Sequence, residues 1–205
     1  MKRRKAKPKP LVKPVIKSLK RARKVTSDFH RVTRQIGAVN AQLLSVPWLS
    51  VRAIDLRPCL PSIEQADFLQ IQPAGDFDIV VCAMVLNCVP SAQDRGNMLL
   101  KTRGHLQHGG HAFIVTPLRC LNDSPYMTAN YFEEAVAAAG LQVKHSKLSP
   151  KLAFYCLEAA EICAAAASMY ADPNKIVARG SKKTNDFAIS FDEATVQMLK
   201  EIVAV

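Results

Sequence analysis

The sequence lacks the features that mark membrane, secreted and metal-binding proteins. No stretch of its 205 residues approaches the roughly 18 to 20 consecutive apolar residues of a membrane-spanning helix. Its six cysteines form no C-x-x-C pair and no histidine–cysteine ligand spacing, and no secretory signal opens the chain. We therefore expect a soluble cytosolic or nuclear protein with reduced thiols, no metal site and no membrane association.

The chain is also too short for two catalytic domains, and no internal repeat divides it. A length of 205 residues suits one domain with some chain left for a tail. Hydrophobic residues make up 49% of the composition, which is enough to form a packed core.

Positive charge is concentrated at the N-terminus. Residues 1–35 contain 14 lysines and arginines against a single acid, Asp28, and so carry a net charge of +13, whereas the remainder carries −2. Pro8, Pro10 and Pro14 exclude a continuous helix there, although 21–35 has the spacing of a basic helix that docks on the domain. We expect an arm at 1–35 that binds nucleic-acid phosphates, followed by a domain at 36–205. Two alternatives are a nuclear-import signal and, less favoured because of the prolines, a mitochondrial presequence.

From residue 51 onward, short apolar runs alternate with helical segments, a pattern typical of an α/β domain with a mostly parallel sheet. Strands are predicted at 51–54, 63–66, 77–84, 111–116, 141–148, 152–157 and 187–189. Helices are predicted at 91–106, 128–140, 158–170 and after Asp192. Because 77–84 is almost wholly apolar, we expect a central strand that is buried on both faces.

Two acids follow predicted strands, where ligands bind in open α/β sheets. Asp55 is placed to accept hydrogen bonds from two ribose hydroxyls, and Asp67 to accept one from an adenine amino group. Phe68 offers a face to the same ring. The alternative for each aspartate is an ordinary helix cap or turn.

This succession of strands and acids resembles the Rossmann-like methyltransferases that use S-adenosyl-L-methionine. More narrowly, the chain resembles the 25S (large-subunit) rRNA adenine-N(1) methyltransferases. The motifs that carry this resemblance are R-K-V-T-S-D-F-H at 23–30, I-G-A-V-N at 36–40, I-D-L-R-P at 54–58, Q-A-D-F-L at 65–69, F-D-I-V-V-C-A-M-V-L-N-C-V-P-S at 77–91, D-R-G-N-M-L at 94–99, V-T-P-L-R-C-L-N-D-S at 115–124 and N-D-F-A-I at 185–189. They lie in colinear order over most of the chain.

The resemblance implies an α/β, Rossmann-like class I fold. Its sheet would be mostly parallel, with helices on both faces and an antiparallel last strand pair, and it would be abbreviated at the first strand and helix. The sequence lacks the G-x-G-x-x-G loop of dinucleotide-binding proteins, and Gly37 is the matching position in the single-glycine loop of the family. The implied residues that bind S-adenosyl-L-methionine are Gly37, Asp55, Asp67, Phe68 and Leu86.

The implied reaction is methyl transfer to N1 of an rRNA adenine. Asn87 is placed to hold the exocyclic amine and Pro90 to shape its loop, with Asn122 and Tyr126 as candidate further contacts. The alternative for Asn87 is a loop residue that bonds its own backbone.

The implied partner is large-subunit rRNA or a pre-ribosomal particle, which a monomer of this protein would bind. The implied location is the nucleus, in the nucleolus. A catalytically inactive S-adenosyl-L-methionine sensor or scaffold is the alternative, as is a small-molecule methyltransferase with an import tag.

Overall fold

A computed structural model describes residues 46–162, 170–178 and 185–197. The chain divides into two compact units, Met1–Gln65 and Ala66–Val205. The predicted arm at 1–35, the docked helix at 21–35 and Gly37 all lie outside the described residues. None of the described helices is both long enough and apolar enough to cross a membrane.

The described part of the first unit is a two-stranded parallel sheet. Strand β1 (Ile54–Asp55) pairs with β2 (Glu64–Gln65), and Asp55 lies opposite Gln65 in the register. An ion pair joins the two strands near their first residues. The Nε and Nη2 atoms of Arg52 donate to the two carboxylate oxygens of Glu64 at 2.9 and 3.0 Å. This hydrogen bonding lowers the pKa of Glu64. Both strands fall within or at the ends of the predicted runs.

The second unit contains a four-stranded sheet in the order β3-β4-β6-β5. Its strands are β3 (Phe77–Ala83), β4 (Leu106–Pro117), β5 (Leu141–Leu148) and β6 (Leu152–Ala159). Strands β3 and β4 are parallel, whereas β6 runs antiparallel to both β4 and β5. The α/β class and the antiparallel last strand pair are therefore confirmed. The described strands form a mixed sheet, with parallel pairing confined to β1–β2 and β3–β4.

Helices lie between these strands as the capping residues predict. Ser91 caps α1 (Ala92–His105) by accepting the backbone N–H of Asp94 at 2.9 Å. A short helix, α2 (Leu118–Asn122), follows β4, and Thr128 caps α3 (Ala129–Ala138). Gly140, at a φ of +78°, ends the turn after α3, and the chain enters β5 directly.

One face of the four-stranded sheet carries the core. Side chains that alternate along β4 and β6 are buried on this face under α1 and α3, and the ring of Phe132 lies 4.9 Å from that of Tyr155. The fully buried members include Ala112, Ile114, Ala153 and Leu157. The prediction that helices pack on the sheet is thus confirmed for the face under α1 and α3.

The opposite face is exposed in the part of the chain that the structure describes. Ile79 and Val81 of β3 are 52% and 64% exposed, and Phe113 of β4 and Phe154 of β6 are also exposed. The prediction that this strand is buried on both faces is therefore wrong for the described residues. An apolar run indicates which side chains can be buried, but the elements packed beside the strand decide which of them are.

Three further boundaries differ from the predictions. The helix at α1 ends at His105, and β4 begins at Leu106 and runs through Gly109 and Gly110, so those glycines lie in a strand rather than between elements. Residues 187–189 form no strand; they pack against α1. Strand β6 continues to Ala159, so the helix predicted at 158–170 does not begin at 158. Residues 163–169 of that predicted helix lie outside the described residues.

Candidate functional site

The carboxyl end of β3 is a tight turn that places Asn87 beside the end of β4. Met84, the first residue after β3, has a φ of +60°, a left-handed conformation that costs a side-chain-bearing residue about 1–2 kcal/mol. Its backbone N–H donates to the Val115 carbonyl of β4 at 2.8 Å, which fixes the turn against the sheet. A short 3-10 helix, Leu86–Cys88, follows at once. Backbone strain of this kind is typical of functional loops.

A buried arginine connects this turn to the C-terminal part of the chain. The guanidinium of Arg95, on the first turn of α1, donates to the carbonyls of Val89 at 2.9 Å, Pro90 at 3.1 Å and Ala188 at 2.8 Å. Its centre lies 4.9 Å above the ring of Phe187. Burial lowers the pKa of Arg95, and the three carbonyls replace the water that the cation has lost.

The segment 185–190 packs against α1 at very short range. The Ser190 N–H donates to the Ala92 carbonyl at 3.1 Å, and the Ser124 hydroxyl donates to the Phe187 carbonyl at 2.7 Å. A Cβ atom on Gly96 would lie 1.9 Å from the Ser190 carbonyl oxygen, so only glycine permits this approach. The segment is therefore fixed at three points.

Between the β3 turn, the end of β4 and this segment lies an open cleft of about 420 Å³. The first wall comes from the turn, the end of β4 and the helices α1 and α2: Asn87, Pro90, Arg95, Pro117, Arg119 and Cys120. The second wall is the range 185–187. The cleft lies outside the carboxyl ends of two parallel strands, which is the usual ligand-binding edge of an open α/β sheet.

Asn87 and Pro90, the two residues predicted on the acceptor side, both line this cleft. The Oδ1 atom of Asn87 is buried and has no hydrogen-bond partner among the described residues. Among the described residues, its Nδ2 atom donates to the Cys88 sulfur, at 3.4 Å, which is a weak acceptor. The carboxamide is thus not satisfied within the described chain, unlike most buried polar groups. Asn122 and Tyr126 are not among the lining residues.

The residues predicted to bind the cofactor occupy different surroundings. Asp55 is exposed, and its Oδ1 accepts the Arg57 N–H at 2.7 Å in a local turn. Asp67 is also exposed and caps the 3-10 helix Phe68–Gln70, accepting the Leu69 N–H at 3.0 Å. Each carboxylate retains lone pairs for a ligand, so the turn and binding roles are compatible.

Phe68 and Leu86 are less accessible. The ring of Phe68 is half-buried and lies 5.3 Å from that of His105. The side chain of Leu86 is fully buried in the core, so a ligand can reach this residue only through its backbone. The cofactor roles of Asp55, Asp67, Phe68, Leu86 and Gly37 stay predictions.

Sequence reasoning missed the second wall of the cleft and the arginine that holds it. The motif N-D-F-A-I at 185–189 was available as a signal, but it predicted a strand. Arg95 lies in the motif D-R-G-N-M-L beside Gly96, and both residues contact the 185–190 segment. Nothing in the spacing of these motifs shows that residues 93 positions apart meet.

The mixed sheet and the cleft at its edge define an α/β domain with an open cleft outside its parallel strands. The sequence model of the family described as "25S rRNA (adenine(2142)-N(1))-methyltransferase, Bmt2" matches residues 2–189. The chain therefore belongs to this family, and the resemblance predicted from the motifs is confirmed.

Two relatives illustrate the match. The chain is 36% identical over 81 residues to the "25S rRNA (adenine(2142)-N(1))-methyltransferase" of Saccharomyces cerevisiae, which covers 40% of this chain and 24% of that protein. It is 32% identical over 111 residues to the "25S rRNA adenine-N(1) methyltransferase" of Schizosaccharomyces pombe, covering 51% of this chain and 41% of that protein. The matches thus span less than half the length of either relative.

Two solved methyltransferase structures superpose on part of the chain. A 1,6-didemethyltoxoflavin-N1-methyltransferase from Burkholderia thailandensis superposes with a TM-score of 0.48 at 14% identity, over 55% of this chain and 62% of that chain. A point mutant of the 16S rRNA (adenine(1408)-N(1))-methyltransferase from Catenulisporales acidiphilia gives a TM-score of 0.39 at 17% identity, over 50% and 60% of the two chains.

Proposed function

We propose that this chain is an S-adenosyl-L-methionine-dependent methyltransferase that modifies N1 of an adenine in large-subunit rRNA. The observation that carries the proposal is the cleft at the ends of β3 and β4, in a chain that belongs to this methyltransferase family. The cleft is lined by Asn87 and Pro90 and has a volume of about 420 Å³.

The described residues fit the methyl donor chemically. The donor supplies an electrophilic methyl group on a sulfonium, and its nucleoside part offers ribose hydroxyls and an adenine amino group, all of which are hydrogen-bond donors. Asp55, the last residue of β1, and Asp67, two residues after β2, are exposed carboxylates that can accept from these groups. Gly37 is a further residue that we assign to donor binding.

The acceptor chemistry asks little of the protein beyond positioning. The N1 lone pair of adenine is neutral at pH 7, and the methylated product is a cation that need not lose a proton at once, so no strong general base is required. Holding the base in line with the methyl group supplies most of the rate enhancement. The strained turn at Met84 and the packing around Arg95 fix the cleft walls for this purpose.

N1 lies on the Watson–Crick edge, so the adenine must be unpaired when it enters the cleft. Affinity for the rest of the RNA is assigned to the arm at 1–35, whose net charge of +13 suits a phosphate backbone. The basic arm also favours a nuclear location, in the nucleolus, where pre-ribosomal particles assemble. We expect the protein to act there as a monomer on large-subunit rRNA.

Transfer from a radiolabelled donor tests the proposal. The chain is incubated with methyl-labelled S-adenosyl-L-methionine and unmodified large-subunit rRNA transcribed in vitro, and the label is followed into RNA. Reverse transcription then maps the product, because a methyl group at N1 blocks base pairing and stops the polymerase. We expect label in RNA and one dominant stop at an adenine.

Two other outcomes contradict the proposal in distinct ways. Donor binding by isothermal titration without transfer to RNA indicates a sensor or scaffold. Transfer to small molecules in a cell extract, with none to RNA, indicates a small-molecule methyltransferase.

A further inference from the structure

We infer that Asp186 is an adenine-selecting residue of the acceptor site, accepting a hydrogen bond from the exocyclic amino group of the base. The inference rests on the proposed function. It assigns a role to the second wall of the cleft, 185–187, which supplies a carboxylate to a site whose first wall supplies Asn87.

Most polar side chains that line the cleft already make hydrogen bonds within the described chain. Arg95 uses three of its five N–H donors on backbone carbonyls, and Arg119 donates its Nε–H to Asp123 at 2.9 Å. Asn185 accepts the Phe187 N–H at 3.0 Å and donates to the Cys120 sulfur at 3.7 Å.

Two acceptors remain for a ligand. The Oδ1 atom of Asn87 has no partner among the described residues, and Asp186 is exposed, with no hydrogen bond or ion pair to any other described residue. The cleft therefore offers two unsatisfied hydrogen-bond acceptors, and Asp186 is the only carboxylate among the described residues that line it.

This polarity matches adenine and opposes guanine. Adenine presents an amino group with two N–H donors beside N1, whereas guanine presents a carbonyl oxygen at the same position. A carboxylate attracts the amino group and repels the carbonyl, so it discriminates between the two purines. As the methyl group transfers, positive charge spreads over the ring and its amino group, and a nearby carboxylate stabilises that charge.

The position of Asp186 is set by its buried neighbours. Phe187, Ala188, Ile189 and Ser190 are each at most 5% exposed, and the Ser124 hydroxyl and the Arg95 guanidinium bind carbonyls of this stretch. A fixed backbone limits the positions that the carboxylate can reach, which favours a specific contact.

The test combines a change in the protein with a change in the RNA. Asp186→Ala removes the carboxylate, and a synthetic RNA with purine riboside at the mapped acceptor position removes the amino group. For wild-type protein, we expect kcat/KM to fall roughly 10- to 100-fold from adenine to purine, the range for a hydrogen bond to a charged group. For Asp186→Ala, the two RNAs should differ far less. Because purine is also a weaker nucleophile, only the difference between the two ratios reports the contact.

Asp76→Ala is the matched control, since Asp76 is an exposed aspartate of the same unit outside the cleft. It should keep the wild-type ratio, and both variants should keep the wild-type thermal midpoint and donor affinity. An adenine-to-purine ratio for Asp186→Ala equal to that of wild type overturns the inference and leaves the proposed function intact. No transfer by wild-type protein instead refutes the proposed function, and this role of Asp186 with it.

Discussion

Replacing Arg95 by methionine tests whether the cleft depends on a single buried cation. Methionine has a similar length and keeps the apolar part of the packing, but it donates no hydrogen bonds. The carbonyls of Val89 and Ala188 would be left without this donor in buried surroundings, whereas the bond to Pro90 is only part-buried and water can replace it.

The magnitude follows from these contacts. An unsatisfied buried carbonyl costs about 1–3 kcal/mol, so two give about 2–6 kcal/mol. Releasing a buried cation from its desolvation cost offsets part of this loss, and we expect a net destabilisation of about 2–4 kcal/mol. A domain of this size is stable by about 5–15 kcal/mol, so the variant should fold but unfold at a markedly lower denaturant concentration.

Urea unfolding followed by far-UV circular dichroism measures the change. Arg119→Met is the matched control, because Arg119 lines the same cleft but is exposed, with 69% of its side chain accessible, and makes only a surface ion pair with Asp123. Such a pair contributes about 0–1 kcal/mol. Arg95→Lys should lie between wild type and Arg95→Met, since an ammonium lacks the planar fork of donors. A loss for Arg95→Met no larger than that for Arg119→Met would show that this packing is incidental.

Four further predictions concern other parts of the chain. Gly96→Ala should destabilise the protein by about 1–3 kcal/mol or more, because the new Cβ meets the Ser190 carbonyl oxygen at 1.9 Å. The thermal midpoint of this variant is compared with that of Gly109→Ala, where space is open around the new Cβ but φ is +75°. The comparison separates a steric clash from backbone strain. Burial raises the pKa of the Cys82 thiol to about 11, above the usual value of about 9, so the folded state holds this proton more tightly than the unfolded state. Stability should fall as the pH rises from about 9 to about 11, and a Cys82→Ala variant that keeps the same fall would contradict this. Asp55→Ala should abolish donor binding in calorimetric titration, and an unchanged affinity would exclude a role for this carboxylate. Removing residues 1–24 should weaken RNA binding and flatten its dependence on salt while leaving donor affinity unchanged; an equal salt slope would rule out the arm as the RNA anchor.

The sequence predicted most elements of the second unit because their signals are local. Ser91 and Thr128 begin α1 and α3 by accepting backbone N–H groups three residues on, and Gly140 ends the turn after α3 with a positive φ. Capping and left-handed conformations depend on one residue and its near neighbours, so sequence alone can reveal them. The turn between β5 and β6 is equally local, because Ser149 bonds Leu152 across it.

The cleft could be predicted only in part. Asn87 and Pro90 were identified because they directly follow a strongly apolar strand, and strand ends meet at one edge of a sheet. The opposite wall was missed because residues 185–187 are far away in the chain and were expected to form a strand. Their place depends on the Arg95 hydrogen bonds and on the absence of a side chain at Gly96.

By itself, then, the sequence determined the α/β pattern, the caps, the charge of the arm and the family to which the chain belongs. The tertiary structure decided which face of β3 is buried, that 185–190 packs on α1 rather than joining the sheet, and that Asn87 and Asp186 line one cleft. The physical reason is range: caps and turns are set by contacts within a few residues, whereas burial and the meeting of distant segments depend on the whole packed arrangement.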